Sequence, residues 1–180
     1  MKTLQQCEWM AFRIEDIFTI DAGVRLTAAK MITGKRAFIG ATDSNNGITA
    51  FVDNKNDSLD KDVLGVNYNG SVCECFYHPY EAIFSDDVKR LHTKSYNDNK
   101  YVYLFIKQCI LMQKVKYQYG YKFNGERMRK QYIMLPTINH KTPDYDYMEQ
   151  YMREKERKLL NQYRSYIALK INELGGGATP

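Results

Sequence analysis

A chain of 180 residues with 44% hydrophobic side chains is long enough for one packed domain with an appendage, which excludes wholesale disorder. Lys+Arg number 26 against 21 Asp+Glu, a net charge of +5. There is no run of the ~18 apolar residues that a membrane span needs. The polar start Met1–Gln6 does not read as a signal peptide, so the four cysteines are expected as reduced thiols in a cytoplasm.

Before Pro143, short apolar runs alternate with Gly, Asn and Asp clusters, which predicts mixed α and β structure with many turns. Trp9 to Ile20 reads as a strand followed by a short helix, and Gly34 to Ile39 as a turn leading into a strand. Gly40 to Gly47 is a polar loop whose Asn46-Gly47 is a strong turn signal. Residues 53–62 form a second polar loop. Strands follow at Val63–Val66, Ser71–Tyr77 and Tyr80–Phe84, with a turn at Asn67–Gly70. Lys100 to Met112 reads as a helix, Tyr119-Gly120-Tyr121 opens a turn-rich stretch, and Tyr132 to Leu135 is a closing strand that Pro136 ends.

The final segment opens at Thr142-Pro143-Asp144, a helix-start signal. Met148, Met152, Leu159, Tyr163 and Ile167 step at helical spacing, backed by Leu160, Tyr166, Ile171 and Leu174, and Gly175-Gly176-Gly177 stops the run. Such a helix reaches roughly 45 Å. It must project from a small domain, and its apolar stripe then calls for a partner. The expected division is 1–142 for the compact domain, 143–175 for the helix and 176–180 for a flexible tail, an α+β architecture.

Charge is uneven along the chain. Residues 111–133 hold Lys114, Lys116, Lys122, Arg127, Arg129 and Lys130 against Glu126 alone, an excess equal to the +5 of the whole chain. Tyrosines and amides interleave these cations, a pattern suited to phosphates and polar edges. Thr42 to Asn46 and Asn67 to Ser71 carry side chains that suit base edges, and these are equally good turn formers.

Catalytic readings are weaker. Pro143-Asp144 with Glu156 and Lys158 loosely matches the PD-(D/E)xK pattern of metal-dependent nucleases, but on a helix Glu156 and Lys158 lie roughly 200° apart and cannot converge on one ion. Cys73, Cys75 and His78 lack the second Cys pair of a zinc site and read more simply as core residues. The sequence has neither a phosphate-binding G-x-x-x-x-G-K-[ST] loop nor the tetrapeptide of an amino-methyltransferase, and no histidine stands in a nucleophile context. No cofactor is expected. Composition alone leaves two classes open: a nucleic-acid binder, and a non-catalytic interaction module whose helix binds protein while its tyrosines line a peptide or RNA surface.

The chain resembles the target-recognition domain of type I restriction-modification specificity (S) subunits. The resemblance is carried by Trp9…Phe12-Arg-Ile-Glu-Asp-Ile-Phe18, Phe38-Ile-Gly-Ala-Thr-Asp-Ser-Asn-Asn-Gly-Ile48 and Leu64-Gly-Val-Asn-Tyr-Asn-Gly-Ser-Val72. Lys116-Tyr-Gln-Tyr-Gly-Tyr-Lys-Phe-Asn124, Arg127 to Leu135 and the Pro143-Asp-Tyr helix start add to it. It implies a non-catalytic subunit that reads double-stranded DNA for a methyltransferase (M) subunit and for a translocase-nuclease (R) subunit. A full subunit of that kind has two recognition domains and two antiparallel helices, so this chain resembles half of one, able to pair through its helix as a homodimer. Phosphate contacts are expected from Lys114, Lys116, Lys122, Arg127, Arg129 and Lys130. For base edges the candidates are Lys35, Arg36, Thr42, Ser44, Asn45, Asn46, Asn67 and Tyr68. Met148, Met152, Leu159, Tyr163 and Ile167 are the helix-pairing candidates.

Overall fold

The computed structural model describes residues 2–117 and 120–175. The turn expected at Tyr119 and the tail expected at 176–180 therefore lie outside the described residues. Ten strands and four α-helices follow one another as β1 (Trp9–Arg13), α1 (Ile14–Ile17), β2 (Phe18–Ala22), β3 (Thr33–Ile39), β4 (Ile48–Val52), β5 (Val63–Asn67), β6 (Cys75–His78), β7 (Ala82–Phe84) and β8 (Val88–Thr93). After these come α2 (Lys100–Leu111), α3 (Gly125–Lys130), β9 (Tyr132–Ile138), β10 (Thr142–Pro143) and α4 (Tyr145–Gly175). The result is a mixed α/β domain with a long C-terminal helix.

Three sheets form, with strand orders β1-β9-β10, β2-β8-β5-β6 and β4-β3-β7. All pairings are antiparallel except β3 with β7. In β5 every residue is buried, so the four-stranded sheet is covered on both faces. Leu64 and Val66 point into the main core, where Val102, Tyr103, Ile106 and Ile110 of α2 meet them. On the opposite face Val63 packs with Ala37, Ile39, Ala82 and Phe84 from the β4-β3-β7 sheet. Gly65 is required there, because a Cβ would stand 2.9 Å from His78 Nε2 and 3.3 Å from Phe84 Cε1.

Helix α2 forms because its buried residues recur at three- and four-residue spacing and because Asn99 caps it, accepting from the Tyr101 and Val102 amides. Asp144 caps α4 in the same way, accepting from Tyr147 N–H at 3.0 Å. The first three turns of α4 belong to the domain. Tyr145, Tyr147 and Met148 are buried, and Tyr151 and Met152 pack against the core. The N-terminal end of α2 fastens these turns: Asn99 donates to Glu149 at 2.7 Å, while Lys100 and Tyr101 both bond Glu156. Beyond that level the helix stands free of the domain, with Leu159 65% and Tyr163 61% exposed. Met148 is thus not available for helix pairing; the stripe on which it lies serves the domain core at that level.

Several boundaries differ from the sequence expectation. Strand β8 and helix α3 were not expected. The strand expected at Ser71–Tyr77 begins only at Cys75, because residues 71–73 turn and Cys73 adopts φ 65. The strand expected at Tyr80–Phe84 is confined to Ala82–Phe84. Pro136 does not end β9. It stands opposite Trp9 at the seam where β9 exchanges β1 for β10, and its carbonyl accepts from Asp144 N–H at 2.8 Å. No helix among the described residues is long and apolar enough to cross a membrane.

Truncating the fully buried Met148 to Ala is expected to cost about 2–4 kcal/mol in chemical denaturation, whereas Leu169→Ala on the exposed part of the same helix should change stability by less than about 0.5 kcal/mol.

Candidate nucleic-acid interface

Two turns leave neighbouring strands and interlock. The first, residues 40–47, follows β3; the second, residues 68–74, follows β5. The Asn67 side-chain amide donates to the Thr42 carbonyl at 2.8 Å, and Ser71 N–H donates to the Ala41 carbonyl at 3.2 Å. Gly70, at φ 55, lies so close that a Cβ would meet the Ala41 oxygen at 2.4 Å. Asn67 is only 2% exposed. It cannot reach a base edge; its amide instead fixes the carbonyl of the neighbouring turn.

The tip of the first turn is set by backbone conformation. Asn45 and Asn46 both take positive φ, 50 and 53, followed by Gly47 at 78. Asn tolerates this region because its short amide bonds locally. Asn46 donates to the Tyr80 hydroxyl at 2.8 Å, and the Thr42 and Ser44 hydroxyls lie 3.1 Å apart. Ser44, Asn45 and Asn46 are exposed at this tip. In the second turn Tyr68 is half-buried, with the Lys89 ammonium 4.8 Å from its ring centre. Burial, followed by the charges of Asp87 and Asp86, raises the Tyr68 pKa, so the ring keeps its hydroxyl proton.

The cations occupy several positions around these turns. Lys114 pairs with Glu74 at 2.6 Å, which ties the segment after α2 to the second turn. Lys89 of β8 and Arg129 of α3 converge at Gly125, where a Cβ would stand 3.7 Å from Lys89 Cε and 3.5 Å from an Arg129 guanidinium nitrogen. Desolvation first, then Arg129, lowers the Lys89 pKa. Arg127 lies 3.9 Å over the Tyr121 ring and donates to the Lys122 carbonyl. Lys130 pairs with Glu126 and Lys116 donates to Gln113, both at 2.7 Å. Among the described residues, Lys89, Lys122 and Arg129 form no ion pair with a carboxylate.

Lys35 and Arg36 do not join this group. They stand near the start of β3, at the end opposite the 40–47 turn, and Arg36 is spent on the Asp53 and Asn54 carbonyls at 3.2 and 2.7 Å. Lys89 was missed by sequence reasoning because β8 was missed. Its strand shows no apolar alternation: Arg90 and His92 face a polar network, not a hydrophobic core. Arg90 pairs with Asp60 at 2.9 Å, and His92 bridges Asp60 at 3.1 Å and Asp98 at 2.8 Å. This network anchors the 53–62 loop to the four-stranded sheet and to the start of α2.

Cys73, Cys75 and Cys109 are buried in the main core, and desolvation pushes the Cys73 and Cys109 thiols up to about 12. Burial, then Lys107, drives His78 down to about 4, so it is a neutral core residue bonded to the Tyr80 hydroxyl. Among the described residues no group of three or more His, Cys, Asp or Glu side chains is placed to hold a metal ion.

The family model described as type I restriction modification DNA specificity domain matches residues 7–163. A protein of Heyndrickxia coagulans named type II restriction enzyme BgcI specificity subunit S.BcgI is 58% identical over 162 residues, covering 90% of this chain and 48% of its own length. The chain thus spans about half the length of the curated relative it matches. Among solved structures, the type I restriction-modification S subunit of M. genitalium aligns with TM-score 0.60 and 17% identity over 92% of this chain and 43% of its own. The HsdS subunit of Thermoanaerobacter tengcongensis aligns with TM-score 0.60 and 11% identity over 87% and 39%. A chain from a study of type I R-M complex assembly and conformational transition aligns with TM-score 0.64 and 10% identity over 91% and 42%. At these identities the structural likenesses establish the fold.

One expectation follows from the network. Burial alone would lower the His92 pKa, but hydrogen bonds and charge from Asp98 and Asp60 outweigh it and the net shift is upward. The stabilisation is therefore fully present below the unfolded value of about 6.5 and is lost as pH rises through the higher folded value. Melting curves between pH 6 and pH 9 should show wild type losing more stability than His92→Gln as pH rises; parallel curves would remove His92 as the cause.

Proposed function

The chain belongs to the type I restriction modification DNA specificity domain family, and from that membership we propose that it reads one half of a bipartite double-stranded DNA target without itself performing chemistry. The observation that carries this reading is the interlock of the 40–47 and 68–74 turns, with Lys89 over Tyr68 of the second turn and Arg129 close to Lys89. Exposed amides and hydroxyls at Ser44, Asn45 and Asn46, with half-buried Thr42 and Tyr68, supply the groups that read base edges. The surrounding cations supply register on the phosphate backbone, in which Lys114, Lys116, Arg127 and Lys130 take part by exchanging carboxylate, amide or aromatic partners for phosphate. Lys35 and Arg36 serve a separate flank and contribute at most a distant phosphate contact.

Methylation and cleavage would belong to partner subunits, a methyltransferase and a translocase-nuclease. Family membership favours DNA over the RNA or peptide surface that composition left open. With half of its relative's length, the chain would complete a two-part reader by pairing the α4 stripe of half-buried Met152 and Ile167 and exposed Leu159 and Tyr163 with a second copy.

Selection from randomised duplexes, with and without a methyltransferase subunit, tests the reading. Lys122→Ala or Arg129→Ala should weaken binding to all sequences and reduce the dependence of log K on log salt by about 1. Asn46→Ala should instead relax preference at one or two base pairs, by roughly 1–3 kcal/mol of discrimination. Salt-independent binding, or an unchanged selected sequence in Asn46→Ala and Ser44→Ala alike, would overturn the assignment.

A further inference from the structure

A chain of contacts runs from the domain interior to the tip of the 40–47 turn. His78 is fully buried, its ring nearly perpendicular to Phe84, with centres 5.2 Å apart, and to Tyr80, with centres 5.8 Å apart. Its Nδ1 lies 3.3 Å from the Tyr80 hydroxyl, while its Nε2 has no hydrogen-bond partner. Nδ1 is therefore where the ring bonds. The same hydroxyl accepts from the Asn46 amide nitrogen at 2.8 Å. Tyr80 is half-buried and packs on the cluster of Ala37, Ile39, Val63, Ala82 and Phe84. The backbone under Asn46 is fixed as well. Gly40 N–H donates to the Gly47 carbonyl and Gly47 N–H to the Ser44 carbonyl, both at 2.9 Å.

From this we propose that Tyr80 is a positioning residue that orients the Asn46 amide, so that the turn selects adenine at one base pair of its target. This rests on the DNA reading put forward above and deepens it by naming the base and the residues that set it. An exposed asparagine with no anchor turns either end of its amide outward, because both ends bond water and differ little in shape. Here the Tyr80 hydroxyl proton is directed at Nδ1 of the neutral His78 ring, so the oxygen can only accept on its other side. The amide nitrogen of Asn46 therefore faces Tyr80. The amide oxygen and the second N–H are left for a ligand at the exposed tip.

Those two groups fit one base edge. In the major groove adenine offers N6 as a donor and N7 as an acceptor, which match the Asn46 oxygen and its remaining N–H. Guanine offers only acceptors there, N7 and O6, so its O6 would stand against the Asn46 oxygen. Cytosine supplies the donor without the acceptor, and thymine an acceptor beside a methyl group. An amide free to turn would bring its nitrogen to guanine O6 and accept either purine. The anchored amide does not turn, so discrimination between the purines originates in the hydroxyl behind Asn46. Thr42 and Ser44 differ in this respect. Their hydroxyls, 3.1 Å apart, rotate to donate or accept as a base requires.

Selection from randomised duplexes with the full chain, followed by affinities for duplexes that differ only at the selected pair, tests this. Wild type should require adenine at one position, and Asn46→Ala should lose at least about fivefold of the adenine-over-guanine preference there. Tyr80→Phe keeps the ring and removes the hydroxyl. It should lose at least about threefold of that preference at the same pair, leave affinity for unrelated duplexes unchanged, and add nothing to Asn46→Ala. Asn46→Asp has acceptors alone, on a backbone at φ 53 that Asp tolerates, and should move the preference toward cytosine. A Tyr80→Phe protein that melts lower yet keeps its adenine preference gives the hydroxyl a structural role only and overturns the proposal. An Asn46-dependent pair without adenine, or an Asn46→Asp protein that still selects adenine, also overturns it; each leaves DNA reading by the turn intact. Asn46→Asp decides alone if Tyr80→Phe does not fold. A selected sequence indifferent to both Asn46→Ala and Ser44→Ala would instead remove the reading on which the proposal rests.

Discussion

Strand β5 has no residue facing solvent, and that constraint organises the molecule. A strand enclosed on both sides needs two covers, and the chain supplies them from different sources. Leu64 and Val66 are covered by α2, while Val63 and Gly65 are covered by the residues of β3 and β7 and by the His78 and Phe84 rings. Sandwiching β5 in this way brings the end of β3 next to the end of β5. The two interlocked turns are adjacent because those two strand ends are. The cover on the other face, α2, also carries α4, since Asn99, Lys100 and Tyr101 at its start hold Glu149 and Glu156. One enclosed strand therefore places both the interlocked turns and the projecting helix.

How far this was legible in the sequence depended on whether apolar spacing carried the element. Helices α2 and α4 and strands β3 and β5 are written in hydrophobic periodicity and turn residues, and these features fixed the fold class. Strand β8 is not written that way. Its inward Arg90 and His92 are matched by Asp60, an acid that lies far from them in sequence, and His92 also by Asp98, so the alternation is hidden until the partners are assembled. Helix α3 has one buried residue, Met128, and depends on the Asn124 cap for its start. Met148 exposes a second limit. A helical stripe keeps its phase when it leaves the domain, and spacing cannot say where its partner changes from the core to something beyond.

At the candidate interface, residue types were legible and their division of labour was not. The same asparagine chemistry serves two ends. Asn67 is buried and holds a carbonyl of the adjacent turn, whereas Asn45 and Asn46 stand at the exposed tip. The cations divide likewise between those ion-paired with nearby acids, Lys114 and Lys130, and Lys89 and Arg129, which converge without an ion-pair partner although the charges of Asp86 and Asp87 act on Lys89.

The left-handed backbone at Asn45 and Asn46 restricts how this tip can diverge between related readers. Two successive residues at positive φ admit Gly, Asn and Asp readily and exclude β-branched side chains almost entirely. Drift at these two positions is therefore filtered by backbone geometry before base chemistry can act on it. Thr42 and Ser44 carry no such filter, so side-chain variation in the turn is channelled through the first half of the loop while its second half stays nearly fixed.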